Sequence, residues 1–164
     1  MKNIYLIGMP GSGKTTVAKY VAQKLGITLA DMDKMIVENS GTSINDIFSE
    51  KGEDYFRDLE TQVLKQLSQC ENIVVATGGG VIKREENVEL LKKGTVVFID
   101  VPVNVIAGRS NFSDRPLLKD NLDNLKNLYK QRYQLYKAAA DIIVSGEGTP
   151  VEVATRILAF ISRK

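Results

Sequence analysis

The strongest constraint on the fold of this chain is a glycine-rich segment near its start. It runs from Gly8 to Thr15 as Gly-Met-Pro-Gly-Ser-Gly-Lys-Thr and matches the pattern G-x-x-x-x-G-K-[ST]. A β-rich run precedes it, and the residues that follow have the apolar spacing of a helix. In this context glycines let backbone N–H groups surround an anion at the positive end of the helix dipole. The segment therefore predicts a phosphate-binding loop.

Strand and helix patterns alternate along the rest of the chain. We expect strands at 2–7, 28–30, 73–76, 96–100 and 142–144. We expect helices at 14–25, 34–39, 43–51, 53–67, 85–91, 102–108, 125–136 and 150–161. The stretch 110–123 is polar and irregular. Apolar strands separated by helices predict an α/β fold, in which helices cover both faces of a parallel sheet.

The size and composition of the chain exclude several kinds of protein. Its 164 residues fit one domain, which we expect to span residues 1–164. The sequence has no histidine, which excludes Ser-His-Asp and Cys-His catalysis and histidine-based zinc sites. Its single cysteine, Cys70, excludes an internal disulfide, and we interpret it as a small buried residue near a helix end.

Charge and hydropathy bear on partners and location. The net charge of +2 is too small to indicate nucleic acid or a membrane surface as a partner. The chain enters a predicted strand at once, without the apolar region of a signal peptide. No apolar run approaches the ~20 residues that span a bilayer. We therefore expect a cytoplasmic monomer that acts on small molecules.

Residues of the phosphate loop have separable predicted roles. The ammonium group of Lys14 is expected to reach the β- and γ-phosphates of a nucleoside triphosphate, and the Thr15 hydroxyl to ligate Mg²⁺. The predicted nucleotide-binding residues here are Gly11, Ser12, Gly13, Lys14, Thr15 and Thr16.

Two aspartates follow the second predicted strand. If Asp31 and Asp33 share one extended segment, their side chains point the same way, toward the carboxyl edge where open α/β sheets bind ligands. One carboxylate could serve the Mg²⁺ shell, and the other could orient or deprotonate an acceptor hydroxyl. The alternative is that both aspartates cap a helix ahead of Lys34.

Three arginines and a run of glycines complete the candidate site. Arginine forks match carboxylates and phosphates bidentately, and Glu60 lies three residues after Arg57, close enough to fix its side chain. Arg115 and Arg132 are the other two, and each of the three could instead be a solvated surface charge. The run 78–80 is Gly-Gly-Gly, which either brings backbone N–H groups close to a ligand or forms a plain turn.

Taken in order, these motifs resemble the shikimate kinase family of P-loop kinases. The resemblance covers nearly the whole chain, and its parts are the loop 8–15, Asp31-Met-Asp33, Phe56-Arg57-Asp-Leu-Glu60, Gly78-Gly79-Gly80, and Arg115-Pro-Leu-Leu118 with Arg132. It implies a three-layer α/β/α sandwich of P-loop NTPase type with a five-stranded parallel sheet in the order 2-3-1-4-5. It also implies ATP-dependent phosphorylation of the 3-hydroxyl of shikimate, a step of chorismate and aromatic amino acid biosynthesis.

The resemblance further implies where the two substrates bind. Shikimate is expected beside the segment 33–60, its carboxylate held by arginines and a glycine amide and its 3-hydroxyl positioned by Asp33. Asp31 is expected to act on Mg²⁺ together with Thr15, and Arg109 to stack near the adenine of ATP. A lid at 110–123 would fold Arg115 onto the transferred phosphate. The implied acceptor-binding residues are Asp33, Arg57, Gly78, Gly79, Gly80 and Arg132, and the implied catalytic residues are Lys14, Asp33 and Arg115.

Two alternatives of different kinds stay open at this stage. A gluconate or nucleotide kinase would share the phosphate loop, and a sugar-acid kinase would also share the anion-binding arginines. A GTP-dependent switch or a non-catalytic nucleotide-binding module would share only the loop, and the sequence has no N-K-x-D segment of the kind that recognises guanine.

Overall fold

The computed structural model describes residues 1–109 and 122–162. Within these ranges the chain forms one sheet whose strands are all parallel. Its five strands lie in the order β2-β3-β1-β4-β5, as predicted. Their bounds are β1 Ile4–Ile7, β2 Thr28–Asp31, β3 Ile73–Ala76, β4 Thr95–Asp100 and β5 Ile142–Ser145.

Helices connect successive strands. In the described ranges they are α1 Lys14–Leu25, α2 Met32–Ser40, α3 Ile44–Lys51, α4 Glu53–Ser68, α5 Glu85–Leu91, α6 Val103–Arg109, α7 Leu122–Ala139 and α8 Pro150–Ile161. A short 3-10 turn at Val81–Lys83, which the sequence pattern did not predict, follows the glycine run.

The inner strands are unbroken apolar runs because they lie in the core of the protein. Every residue of β1 and β3 is buried, because helices cover both faces of the sheet. Helices α1 and α8 pack against each other, and α7 packs against β4. The edge strand β5 instead alternates between buried and exposed residues. The result is the predicted three-layer α/β/α arrangement, with the carboxyl ends of all five strands along one edge.

Helix ends follow capping signals in the sequence. At the start of α8 the Thr149 hydroxyl accepts a bond from the Glu152 N–H, the Glu152 carboxylate accepts one from the Thr149 N–H, and Pro150 occupies the first turn. The Ser43 hydroxyl caps α3. At the end of α2, Gly41 adopts a φ of 71°, which favours glycine.

Three predictions need correction. Strand β2 runs on to Asp31 and α2 begins at Met32, so Asp31 and Asp33 do not share an extended segment. Cys70 is exposed just beyond α4, whereas we expected it to be buried. Helix α7 begins at Leu122, so the end of the predicted irregular stretch is helical. The rest of that stretch, with Arg115, lies outside the described residues.

The helices also bear on membrane insertion. In the ranges 1–109 and 122–162, none combines the length and apolar character needed to span a bilayer.

Candidate active site

A cleft of about 320 Å³ opens at the carboxyl edge of the sheet. It brings together segments that lie far apart in the sequence: the phosphate loop, the starts of α1 and α2, helices α3 and α4, the glycine run and α7. Its lining residues are Pro10, Gly11, Gly13, Lys14, Thr15, Thr16, Asp31, Asp33, Ile44, Phe48, Phe56, Arg57, Glu60, Thr77, Gly78, Gly79, Gly80 and Arg132.

The phosphate loop has the conformation that its glycines predict. Gly13 has a φ of 91° and directly precedes α1. A Cβ on Gly8 would lie 2.7 Å from the Ile99 carbonyl oxygen, so only glycine fits there. The Lys14 ammonium is buried and donates to the Gly8 and Met9 carbonyls at 2.7 and 2.9 Å. The loop therefore holds a positive charge at the start of a helix, where an anion binds favourably.

Asp31 caps a helix, as in the alternative that the sequence left open, and it also contacts the phosphate loop. Its Oδ1 accepts a bond from the Lys34 N–H at 3.3 Å and so caps α2. Its Oδ2 accepts a bond from the Thr15 hydroxyl at 3.1 Å. Helix capping thus holds the carboxylate beside the first turn of α1, where it lines the cleft.

The donor set of Thr15 and Asp31 fits Mg²⁺. This ion binds oxygen, keeps several waters, and commonly uses one or two protein groups plus substrate phosphates. A hydroxyl and a carboxylate beside a phosphate loop meet those needs. In the part of the chain that the structure describes, no cluster of three or more aspartate, glutamate, histidine or cysteine ligands forms.

Asp33 reaches the cleft by a different route from the one predicted. It lies in the first turn of α2, and its Oδ1 would lie 3.0 Å from a Cβ on Gly78. Met32, between the two aspartates, is fully buried. A strand end and a helix start, not a shared strand, therefore place both carboxylates in one cleft.

Arg57 is fixed by its own helix, as its spacing from Glu60 predicted. It is buried, with an exposed fraction of 5%, and its Nη1 donates to Glu60 Oε1 at 3.0 Å. Its Nε donates to Glu53 Oε2 at 3.3 Å, and the same carboxylate pairs with Lys83. The guanidinium thus lines the cleft in one fixed orientation, and it is not a solvated surface charge.

A second buried arginine indicates that this end of the cleft binds an anion. Arg132 is 3% exposed, and its buried Nη2 finds no hydrogen-bond acceptor among the described residues. A buried donor without an acceptor costs about 1–3 kcal/mol, and such a group in a native site calls for an explanation. An acidic ligand would supply the acceptor.

The carboxyl group of Glu60 lines the same cleft as the two arginines, and its surroundings shift its pKa. Burial raises the pKa of its carboxyl and the neighbouring Asp33 charge raises it further, while Arg57 and Arg132 lower it. Burial is the largest effect, so the carboxyl holds its proton to a higher pH than an ordinary glutamate. Glu60 Oε2, like Arg132 Nη2, has no hydrogen-bond partner among the described residues.

Each of the three consecutive glycines lies close to a different neighbouring residue. A Cβ on Gly78 would lie 2.5 Å from Glu60 Oε2, and one on Gly79 would lie 2.7 Å from Pro10 Cδ. A Cβ on Gly80 would overlap the Arg57 guanidinium. Steric exclusion of side chains, and not only turn formation, therefore accounts for the three consecutive glycines.

Two predicted nucleotide-binding residues do not line this cleft. Ser12 is buried and closes a turn through its N–H, which donates to the Met9 carbonyl at 3.1 Å. Arg109 donates from Nη2 to the Gly146 carbonyl at 3.0 Å and from Nη1 to the Ser12 carbonyl at 3.4 Å. It therefore links the phosphate loop to the loop after β5. Its predicted stacking on adenine stays a prediction.

The sequence interpretation missed the apolar wall of the cleft. Phe48 of α3 and Phe56 of α4 pack in a tilted arrangement with ring centroids 4.9 Å apart, and Ile44 lies one turn before Phe48. The Arg57 guanidinium lies 5.1 Å from the Phe56 ring centroid, within cation–π range. The spacing of Ile44 and Phe48 could have identified this face of α3, but the same spacing is typical of a core-facing helix.

The parallel sheet, the phosphate loop at its centre and the carboxylates beside it define a P-loop phosphotransferase. The family model for shikimate kinase matches residues 10–162. The chain belongs to the shikimate kinase family.

Individual relatives agree with this assignment. A shikimate kinase of Sulfurihydrogenibium sp. (strain YO3AOP1) is 43% identical, with 100% of each chain covered. The structure of shikimate kinase from Acinetobacter baumannii in complex with shikimate is 38% identical, with a TM-score of 0.96, and the match covers 99% of this chain and 94% of that one. A gluconokinase from Sinorhizobium meliloti 1021 covers 99% of this chain and 92% of its own at 17% identity and a TM-score of 0.61, so it shares the fold alone.

Proposed function

We propose that this chain transfers the γ-phosphoryl group of ATP to the 3-hydroxyl of shikimate, giving shikimate 3-phosphate and ADP. This is the activity of the family to which it belongs, in aromatic biosynthesis. The single observation that carries the proposal is the meeting of two anion-binding groups in one cleft. Lys14 supplies a cation inside the phosphate loop, and Arg57 and Arg132 supply buried guanidinium groups in the same cleft.

The arginines suit the carboxylate of the acceptor. Arg57 is held in place by two glutamates, so little side-chain entropy is lost when it binds. Arg132 Nη2 lacks an acceptor in the described residues, and a bound carboxylate would provide one. The apolar wall formed by Phe48 and Phe56 suits the carbon ring between the carboxylate and the hydroxyls.

Asp33 is our candidate for the group that orients the attacking hydroxyl. It lines the same cleft as the phosphate loop and the arginines, and a carboxylate can accept the hydroxyl proton. Phosphoryl transfer passes through a loose transition state, so positioning and charge neutralisation contribute most of the rate. Holding the acceptor by its far end through Arg57 therefore contributes directly to catalysis.

The nucleotide end would use the phosphate loop. Backbone N–H groups of Gly11, Gly13 and the first turn of α1 would surround the phosphates, and Lys14 would turn from the loop carbonyls toward the β- and γ-phosphates. Thr15 and Asp31 would hold Mg²⁺, which neutralises phosphate charge when bound. Arg115, from the segment outside the described residues, is proposed to reach the transferred group when the lid closes.

An acceptor panel tests this proposal. ADP release would be followed by a coupled assay with ATP and Mg²⁺ in the presence of shikimate, gluconate, a nucleoside monophosphate, or no acceptor. We expect turnover with shikimate to exceed that with every other acceptor by at least about 10³-fold, since an acceptor that places no carboxylate at Arg132 leaves its buried Nη2 without a hydrogen-bond acceptor. Equal turnover with gluconate, or ATP hydrolysis at the same rate with every acceptor and with none, would contradict the proposal.

A further inference from the structure

Tyr136 of α7 is a buried tyrosine that does not line the cleft but contacts its glycine run. Its hydroxyl donates a 2.5 Å hydrogen bond to the Gly79 carbonyl oxygen, and its side chain is fully buried. The ring stacks on Phe98 of β4, with centroids 5.0 Å apart. The donor is therefore held in place by the centre of the sheet, while its acceptor belongs to the substrate cleft.

A run of three glycines needs such a restraint. Glycine loses more backbone freedom on ordering than any other residue, and the crowding around positions 78–80 excludes side chains that could anchor the run from within. A planar trans peptide points its N–H away from its C=O. Fixing the Gly79 carbonyl toward α7 therefore also fixes the direction of the Gly80 N–H.

The same helix carries one of the predicted carboxylate-binding groups. Arg132 lies four residues before Tyr136, on the same face of α7, and its guanidinium interacts with the Tyr136 hydroxyl. Burial nevertheless raises the pKa of Tyr136 to about 12. The hydroxyl therefore remains protonated, and able to donate, at neutral pH.

We propose that Tyr136 is a positioning residue for the acceptor substrate: its hydroxyl ties the Gly79 carbonyl to α7, and so sets the glycine run and Arg132 in register before shikimate binds. The proposal rests on the proposed function, because it assigns the acceptor carboxylate to this end of the cleft. Tyr136 acts through Gly79 and Arg132 and does not touch the substrate.

The Tyr136→Phe variant tests this proposal, because it keeps the ring on Phe98 and removes only the hydroxyl. We expect the KM for shikimate to rise about tenfold, the scale of one buried hydrogen bond and its unsatisfied carbonyl. The KM for ATP and kcat should stay within about twofold, since the phosphate loop is not tied to this hydroxyl. Replacing Tyr136 with 4-aminophenylalanine restores a donor and should restore most of the shikimate KM.

Tyr129→Phe is the matched control. It removes a hydroxyl from the same helix and aromatic cluster, but that hydroxyl donates to Asp100 Oδ1 at 2.9 Å and not to the glycine run. Its shikimate KM should be unchanged. An unchanged shikimate KM in Tyr136→Phe, or equal losses in the shikimate and ATP constants, would overturn the proposal. Inactivity of the wild-type chain toward shikimate would instead refute the proposed function.

A measurement on the wild-type protein covers the case in which Tyr136→Phe does not fold. NMR order parameters of the Gly79 and Gly80 amides, recorded without shikimate, should be about 0.85, the value of rigid backbone. Values below about 0.6 would mean that the run is flexible before substrate arrives, and the positioning role would be wrong.

Discussion

The Thr15 hydroxyl donates a 3.1 Å hydrogen bond to Asp31 Oδ2, which joins the first turn of α1 to the end of β2. The other oxygen of Asp31 caps α2. One residue thus combines a structural role with a proposed metal-binding role, and the two can be separated experimentally because asparagine caps helices about as well as aspartate.

The Asp31→Asn variant should therefore keep its stability and lose Mg²⁺ affinity. Removing the charge while keeping the cap should raise the Mg²⁺ concentration for half-maximal activity by about tenfold, the scale of one charge-assisted interaction. The free energy of unfolding should change by less than about 0.5 kcal/mol, as for surface substitutions. The measurements are activity against Mg²⁺ concentration and urea unfolding. The control is Asp46→Asn in the first turn of α3, away from the cleft. An unchanged Mg²⁺ dependence in Asp31→Asn would show that Asp31 does not bind the metal.

The Arg57→Ala variant should weaken acceptor binding selectively. Loss of a charge-assisted contact costs about 1.5–3 kcal/mol, so the shikimate KM should rise by roughly 10- to 150-fold. ATP binding should stay nearly intact, because the Arg57 guanidinium pairs with Glu53 and Glu60 and not with the phosphate loop. Steady-state kinetics in both substrates checks this, with Arg84→Ala as control because Arg84 pairs with Asp58 outside the cleft. A normal shikimate KM in Arg57→Ala would contradict the assignment of Arg57 to the carboxylate of the acceptor.

The Gly80→Ala variant should reproduce part of that loss without touching a charge. The new methyl group would overlap the Arg57 guanidinium and displace it from the cleft. We expect the shikimate KM to rise about tenfold or more, since overpacking in a well-packed site costs about 1–3 kcal/mol. Gly108→Ala, which meets no atom within 4 Å, should leave the constant unchanged. If both variants bind shikimate normally, the glycine run does not fix Arg57.

Glu60 should give the stability of the enzyme a defined pH dependence. Burial raises its pKa above the ordinary 4.5, so the unfolded chain loses this proton at a lower pH than the folded enzyme does. The contribution of Glu60 to the free energy of unfolding therefore falls as the pH rises from about 4.5 through the folded pKa. Urea unfolding across this pH range measures the free energy of unfolding of wild type and of Glu60→Gln. The wild-type value minus the variant value should fall as the pH rises.

A control of opposite sign is available on the same helix. The ion pair with Lys83 lowers the pKa of Glu53, so its contribution to stability is present above 4.5 and is lost as the pH falls through the lowered value. The free energy of unfolding of Glu53→Gln should therefore differ from that of wild type mainly above pH 4.5. A stability difference for Glu60→Gln that rises with pH would show that the arginines outweigh burial.

Arg115 is expected to act on the rate and not on binding. Arginines that reach a transferred phosphate contribute about 10³–10⁵ in rate in GTPases. Arg115→Ala should therefore lose mainly kcat, with the ATP dissociation constant within a few-fold of wild type. Single-turnover rates and nucleotide binding check this, and Arg156→Ala on α8, which bonds the carbonyls of Ser145 and Glu147, is the control. Near-normal turnover would refute the lid role.

Local sequence signals were sufficient where one segment determines both its conformation and its chemistry. The loop from Gly8 to Thr15 is such a segment, because glycine positions, strand and helix are contiguous. Arg57 and Glu60 are another, because helical spacing alone brings them together. The sheet order followed from the family resemblance, and the strand pairings confirm it.

Tertiary contacts decided what the sequence could not. The pairing of Asp31 with Thr15 crosses two elements, and a helix that starts earlier than predicted, not a shared strand, places Asp33. The role of Tyr136 depends on a carbonyl 57 positions away in the sequence. Cys70 was misjudged because its hydrophobic character says nothing of where a helix end meets solvent.

The identity of the phosphorylated product is the sharpest test of the account. Shikimate, ATP and Mg²⁺ would be incubated with the wild-type chain and followed by phosphorus and proton NMR. We predict that the γ-phosphate resonance is replaced by one phosphomonoester coupled to the proton at C3 of shikimate, in equal amount to the ADP formed. Accumulation of inorganic phosphate with shikimate unaltered would contradict the shared cleft for nucleotide and acceptor on which the account depends.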